Sequence, residues 1–196
     1  MLFFFLGPLL CLAVAVSAQE DGARFYGYGS GIPGYPVFYS DGAYSESKES
    51  MMANAPAGGA YVGIAPPPNA GFSTNVTLSQ NADDGSITAS PINSTTTGNW
   101  TTPKLAINNN SGAFESVKFS SGDNTTLTTT GFDLWGTLLV WVSDSGDIIT
   151  KWYAEPVDDQ KRTWALKWNT DNSLSNSAVP VVLKNLAPPS TRKSRR

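Results

Sequence analysis

Histidine is absent from the 196-residue chain, and cysteine occurs once, at Cys11. Without imidazole there is no Ser-His-Asp or Cys-His nucleophile system, and without imidazole or a second thiol there is no zinc site of the ordinary kinds. Charged residues are few, 15% of the total, and after Ala18 no apolar run approaches the roughly 20 residues that span a bilayer. Nor does apolar periodicity of the helical kind last three turns anywhere downstream; Ser45 to Ala57 is the one place that would hold a short helix. These absences leave a chain whose fold must be built from strands and whose chemistry must rest on carboxylates, Lys, Tyr or a bound group. The residues imply no cofactor.

What is present begins with Met1 to Ala18, an uncharged apolar stretch containing Gly7-Pro8 and ending in Val16-Ser17-Ala18. It is short for a membrane span and suits a signal peptidase, so the expectation is export, with Gln19 as the first mature residue and Cys11 removed. About 178 residues then remain, enough for one domain with a real core. A secreted domain without disulfides must be held by packing and hydrogen bonds, which fits six Trp, seven Tyr and nine Phe, three of the Phe lying in the leader. The chain divides into a signal peptide at 1–18, a Gly/Pro/Tyr-rich N-terminal part of the domain at 19–72, a β-rich core at 73–188 and a basic, disordered tail at 189–196. Formal charge is −3; setting aside the four basic groups in the last six residues, the body carries −7 and repels phosphate backbones. Nucleic acid is therefore not an expected partner, nor is a membrane once the leader is gone.

Strand candidates are Phe25–Tyr28 and Pro36–Tyr39, then Asn75–Leu78, Ser86–Ala89, Lys104–Ile107, Phe114–Phe119, Phe132–Ser143, Ile148–Ala154, Thr163–Trp168 and Pro180–Leu183. Glu46 to Gly59, small and polar, reads as a surface loop, and Pro66-Pro67-Pro68 as a stiff connector. Ser143-Asp144-Ser145-Gly146-Asp147 has hairpin chemistry and joins Leu138–Val142 to Ile148–Tyr153. Phe132 to Ser143 is apolar on both parities and predicts a central strand covered on two sides. Trp164, Leu166 and Trp168 alternate with Ala165 and Lys167, as in a half-buried strand, and Pro180 puts the last strand at an edge or at its own start. The expected fold is all-β: a single compact antiparallel sandwich or closed barrel, with a β-trefoil as the alternative.

Acceptor sequons stand at Asn75, Asn93, Asn99, Asn109 and Asn124; on an exported chain they predict N-linked glycan. Gly29-Ser30-Gly31-Ile32-Pro33-Gly34 matches a phosphate-cradling pattern, but a strand rather than a helix follows it, so a glycine-rich turn is the better reading. Carboxylates pair at Asp83-Asp84 and Asp158-Asp159, with Asp144 and Asp147 flanking a turn. A glycosidase would need two of them facing across a cleft, and a Ca²⁺ site would need ligand spacing that none of these runs shows. All sit in turn contexts where hydration and local bonding explain them, so no catalytic or metal site is expected. Most tryptophans are expected in the core; Tyr26, Tyr28 and Tyr35, in a glycine-rich stretch, are the candidates for stacking on carbohydrate. Lys161-Arg162 resembles a dibasic processing site but reads as a charged turn.

Phe25-Tyr26-Gly27-Tyr28-Gly29 with Gly34 to Gly42, Gly131-Phe132-Asp133-Leu134, Trp152-Tyr153-Ala154, Trp164 to Asn169 and Val179 to Leu183 together resemble uncharacterised small secreted proteins of filamentous ascomycete fungi. The C-terminal half is more distantly similar in layout to phialide-type fungal cell-wall proteins. These resemblances imply a secreted, extracellular or cell-wall location and carry over no catalytic residue. The function expected from leader, sequons and missing nucleophiles is that of a non-enzymatic fungal extracellular protein acting by surface contact. Its partner would be cell-wall polysaccharide or a host surface component; the alternatives are a carbohydrate-binding module using exposed aromatics and a host-directed effector.

Overall fold

The structure, a computed structural model, describes residues 22–41, 58–68, 70–93, 103–120, 126–170 and 177–190. The leader, the stretch considered for a helix, Asn99, Asn124 and residues 191–196 of the tail lie outside the described residues. The fold is all-β and antiparallel, with no helix among the described residues. In chain order the strands are β1 Tyr26–Gly29, β2 Ile32–Ser40, β3 Gly58–Gly63, β4 Ser73–Gln80, β5 Ile87–Pro91, β6 Lys104–Ala106 and β7 Phe114–Ser116. There follow β8 Lys118–Ser120, β9 Phe132–Trp135, β10 Leu138–Val142, β11 Ile148–Ile149, β12 Trp152–Pro156, β13 Thr163–Asn169 and β14 Val179–Lys184.

The pairings return on themselves. One circuit runs β1–β2–β3–β13–β12–β14 and back to β1. A second runs β2–β4–β5–β6–β8–β3 and back to β2, sharing the β2–β3 pair. No three-fold repeat of pairings appears among the described strands. Both circuits enclose one continuous apolar interior that includes Val37, Val62, Val76, Ile87, Leu105, Phe119, Leu166 and Leu183. At its centre Trp152 meets Trp168 edge-on at 4.7 Å and stacks with Phe132 at 6.3 Å, and its indole N–H donates to the Leu139 carbonyl at 3.0 Å. With Trp164, three of the five described indoles are buried. Each removes roughly 200 Å² from water, on the order of 5 kcal/mol before entropy, so packing alone gives this thiol-poor chain a core.

Four sequence expectations are corrected. Phe132 to Ser143 is not one central strand but a hairpin, β9 to β10, closed by the Trp135–Leu138 pair around Gly136 at φ 64°. A two-residue turn inverts parity, so Phe132 and Leu134 face Trp141 and Leu139 on the inside; this is why the run looked apolar on both faces. The hairpin expected between Leu138–Val142 and Ile148–Tyr153 holds only for Trp141–Ile149 and Val142–Ile148, after which β12 leaves for β13 and β14. All of β13 is buried, Lys167 included, rather than alternating with solvent. Gly58-Gly59, expected in a loop, open strand β3, which lies between β2 and β13. A Cβ on Gly58 would fall 2.1 Å from the Tyr39 ring, so glycine there makes room for an aromatic neighbour. β14 starts at Val179, next to Pro180, as the proline required.

Candidate functional site

Strand β1 reads Tyr-Gly-Tyr-Gly, and the alternation sorts it cleanly. Gly27 faces the interior, where a Cβ would stand 2.8 Å from Val62; Tyr26 and Tyr28 therefore face out. Directly opposed residues in antiparallel strands share a face, so register carries this outer face across the sheet. Trp135 opposes Leu138, Leu138 opposes Lys184, Lys184 opposes Tyr26 and Tyr26 opposes Pro36. The row crosses β9, β10, β14, β1 and β2, a span of about 19 Å at roughly 4.8 Å per strand. Beside it runs a second row, Val182–Tyr28–Pro33.

The strip is open. Trp135 is 65% exposed, Leu186 59% and Val182 36%, and Tyr26 and Tyr28 are half-buried. It is also held firmly. The Tyr28 hydroxyl donates to the Leu186 carbonyl at 2.6 Å, and Lys184 Nζ lies 5.6 Å from the Tyr28 ring centre. Gly34, at φ 104°, is the extra residue where the β1–β2 register shifts, and a Cβ on it would sit 2.7 Å from the Tyr28 ring. The strip thus combines a solvent-exposed indole, one ammonium and the Tyr26 phenol, groups able to stack and to hydrogen-bond, while the Tyr28 proton is already given to Leu186.

At the Pro36 end the sheet forks. β2 pairs with β1 through Pro36 and with β4 from Phe38 onward, while Ala23 bridges Leu78 on β4 and Phe25 accepts from Val37 N at 2.8 Å. The change of neighbour opens a notch of about 100 Å³ lined by Arg24, Tyr26, Pro36, Val37, Asn75, Val76 and Ile92. Its floor is made of the buried Val37 and Val76.

The structure separates the three tyrosines singled out from sequence. Tyr26 and Tyr28 share the outer strip, but Tyr35 opposes Gly27 and packs against the interior. Of the sequons, Asn75 and Asn93 are exposed, whereas Asn109 is half-buried and its Oδ1 accepts from the Thr128 hydroxyl at 2.8 Å. The glycine-rich motif is a hairpin turn: Gly29 opposes Ile32, and Gly31 takes φ 76° between them. The carboxylates lie in separate turns with local partners. Asp158 accepts from Arg162 N at 3.0 Å, Asp147 from the Ser145 hydroxyl at 2.7 Å, and Asp84 from Ser86 N at 2.8 Å. Bonds from Ser86, and then Lys104, hold the Asp84 carboxyl below its usual range. Among the described residues no three His, Cys, Asp or Glu converge as metal ligands would.

Sequence reasoning missed the contribution of Leu138, Val182, Lys184 and Leu186 to the strip, because only cross-strand register, and for Leu186 the Tyr28 hydroxyl, brings them to Tyr26 and Tyr28. It also missed a buried ion pair, Lys167 Nζ to Glu155 Oε2 at 2.6 Å. Ser177 donates to the other Glu155 oxygen at 3.1 Å and the Phe114 ring lies under the ammonium at 4.9 Å. A lone charge inside each of two tryptophan-bearing runs was the available signal. Comparison of the chain with protein-family models, with curated proteins and with solved structures returns no match.

Proposed function

We propose that this is an exported, non-enzymatic extracellular or cell-wall protein that acts by surface contact, and that the surface is the strip of Trp135, Leu138, Lys184, Tyr26 and Tyr28, with polysaccharide as its partner. The observation that carries the reading is the strip itself: a solvent-exposed Trp135 in register with the half-buried Leu138, Lys184, Tyr26 and Pro36 across five strands, on a face anchored by the Tyr28–Leu186 bond. Large apolar groups left in water together mark interaction sites rather than packing. Lys184 and the Tyr26 hydroxyl supply hydrogen bonds that give orientation, and a strip about 19 Å long suits an extended chain of sugar rings more than a small ligand.

The test is retention of the secreted protein on insoluble chitin, β-glucan and cellulose. Retention on at least one is expected, weakened about tenfold or more by Trp135→Ala, whose melting temperature should stay within about 2 °C of the parent because the side chain is mostly in solvent. Failure of all three matrices to retain the protein would sink the proposal.

A further inference from the structure

We infer that Asn75 carries an N-linked glycan whose first sugar folds back onto the protein, setting its N-acetyl group in the notch at the sheet fork and its ring against Tyr26. The inference rests on the export reading above, since only an exported chain meets the transferase.

Strand alternation places the sequon for this. Val76 and Leu78 are buried, so Asn75 and Thr77 point outward together, and Asn75 is exposed. Its position opposes Phe38 on β2, and its carbonyl accepts from Ile92 N at 2.9 Å, which fixes the strand beside the notch. Asn75 is itself a wall of that notch, with Tyr26, Pro36 and Ile92 around the mouth and Val37 and Val76 below. The notch, about 100 Å³ and open to solvent on one side, has room for a small group such as an acetamido. The apolar floor takes the acetyl methyl, and Arg24 at the rim has guanidinium donors for the acetyl carbonyl and the ring hydroxyls. Neither other described sequon has this setting: Asn93 lies beyond the end of β5, and the Asn109 side chain is bonded to Thr128.

The experiment uses the full chain secreted from a glycosylating host. Glycopeptide mapping should find sugar at Asn75. Endoglycosidase trimming to a single N-acetylglucosamine should leave the melting temperature unchanged, whereas Asn75→Gln should lower it by about 2–4 °C or more, the shift that roughly 1 kcal/mol produces in a domain of this size. Tyr26→Ala should cost less in the Asn75→Gln background than in the glycosylated parent, because the sugar it supports is already gone. Glycan on other sequons with Asn75 bare would overturn the inference and leave export standing. So would a modified Asn75 whose full, trimmed and Asn75→Gln forms all melt together, or strict additivity with Tyr26→Ala. A chain bare at every sequon and retained in the cytosol would overturn both.

Discussion

Removing the ammonium of Lys167 while keeping its bulk, as in Lys167→Met, should be among the most damaging single changes in this protein. The side chains of Lys167 and Glu155 are only 5% and 12% exposed, and they meet at 2.6 Å as diagonal neighbours on β13 and β12. The replacement leaves the Glu155 carboxylate desolvated with Ser177 as its remaining polar contact described above, and breaking one side of a buried pair costs about 3–5 kcal/mol. Against a total of about 5–15 kcal/mol, that loss is a large share. At about 2 kcal/mol per molar urea it moves the unfolding midpoint down by roughly 1.5–2.5 M, and it lowers the melting temperature by roughly 6–20 °C. The double variant Lys167→Met with Glu155→Leu should recover most of the loss, because apolar groups of similar volume satisfy the same space without an uncompensated charge. Urea unfolding followed by tryptophan fluorescence reads all of this, given three indoles in the core. A single variant costing under about 1 kcal/mol would mean that the pair is solvated and the reasoning wrong. A double variant as poor as the single would mean that shape, not charge, is what the site requires.

Gly58→Ala drives a methyl group into the Tyr39 ring and should cost about 1–3 kcal/mol, with part of it recovered by Tyr39→Leu; thermal melts of the four variants check the coupling. The Asp84 carboxyl titrates below its ordinary value of 3.8, so its stabilisation is complete above that value and fades as pH falls through the folded-state pKa. Asp84→Asn should flatten the acid limb of the stability curve, by a small amount since the group is largely in solvent. Burial, and then Asp41, raise the Tyr39 phenol above 10.0. The folded chain thus keeps that proton longer than the unfolded one, stability should decline as pH rises past about 10, and Tyr39→Phe should remove that part of the slope.

Strands from Ser73 onward could be read from the chain because β-branched and aromatic runs there are bounded by Asn, Asp, Gly and Ser, which is local information. β3 could not. Gly58, Gly59 and Gly63 argue against a strand by propensity, and what requires them is the bulk of Tyr39 and Tyr61 and the Arg162 carbonyl, none visible in a local window. Lys167 was assigned to solvent by alternation alone; the residue that makes its burial tolerable lies on another strand. For the candidate site, the Tyr-Gly-Tyr pattern identified two of the rings on the outer face. Trp135 and Lys184 join them through pairings that link distant parts of the chain, and the notch exists only because β2 exchanges one neighbour for another.

The first and last of the described strands, β1 and β14, lie side by side, and the hydroxyl of Tyr28 reaches a carbonyl 158 residues further on. A nascent chain cannot make that clasp until β14 has been synthesised, since β14 supplies one partner of β1 and completes the first circuit. Closure of that circuit thereby waits for β14, when the entropic cost of joining strands so far apart in the chain is met in a single step. The same arrangement makes β14 a latch: losing Val179–Lys184 would open β1, β10 and β12 at once rather than fray one border.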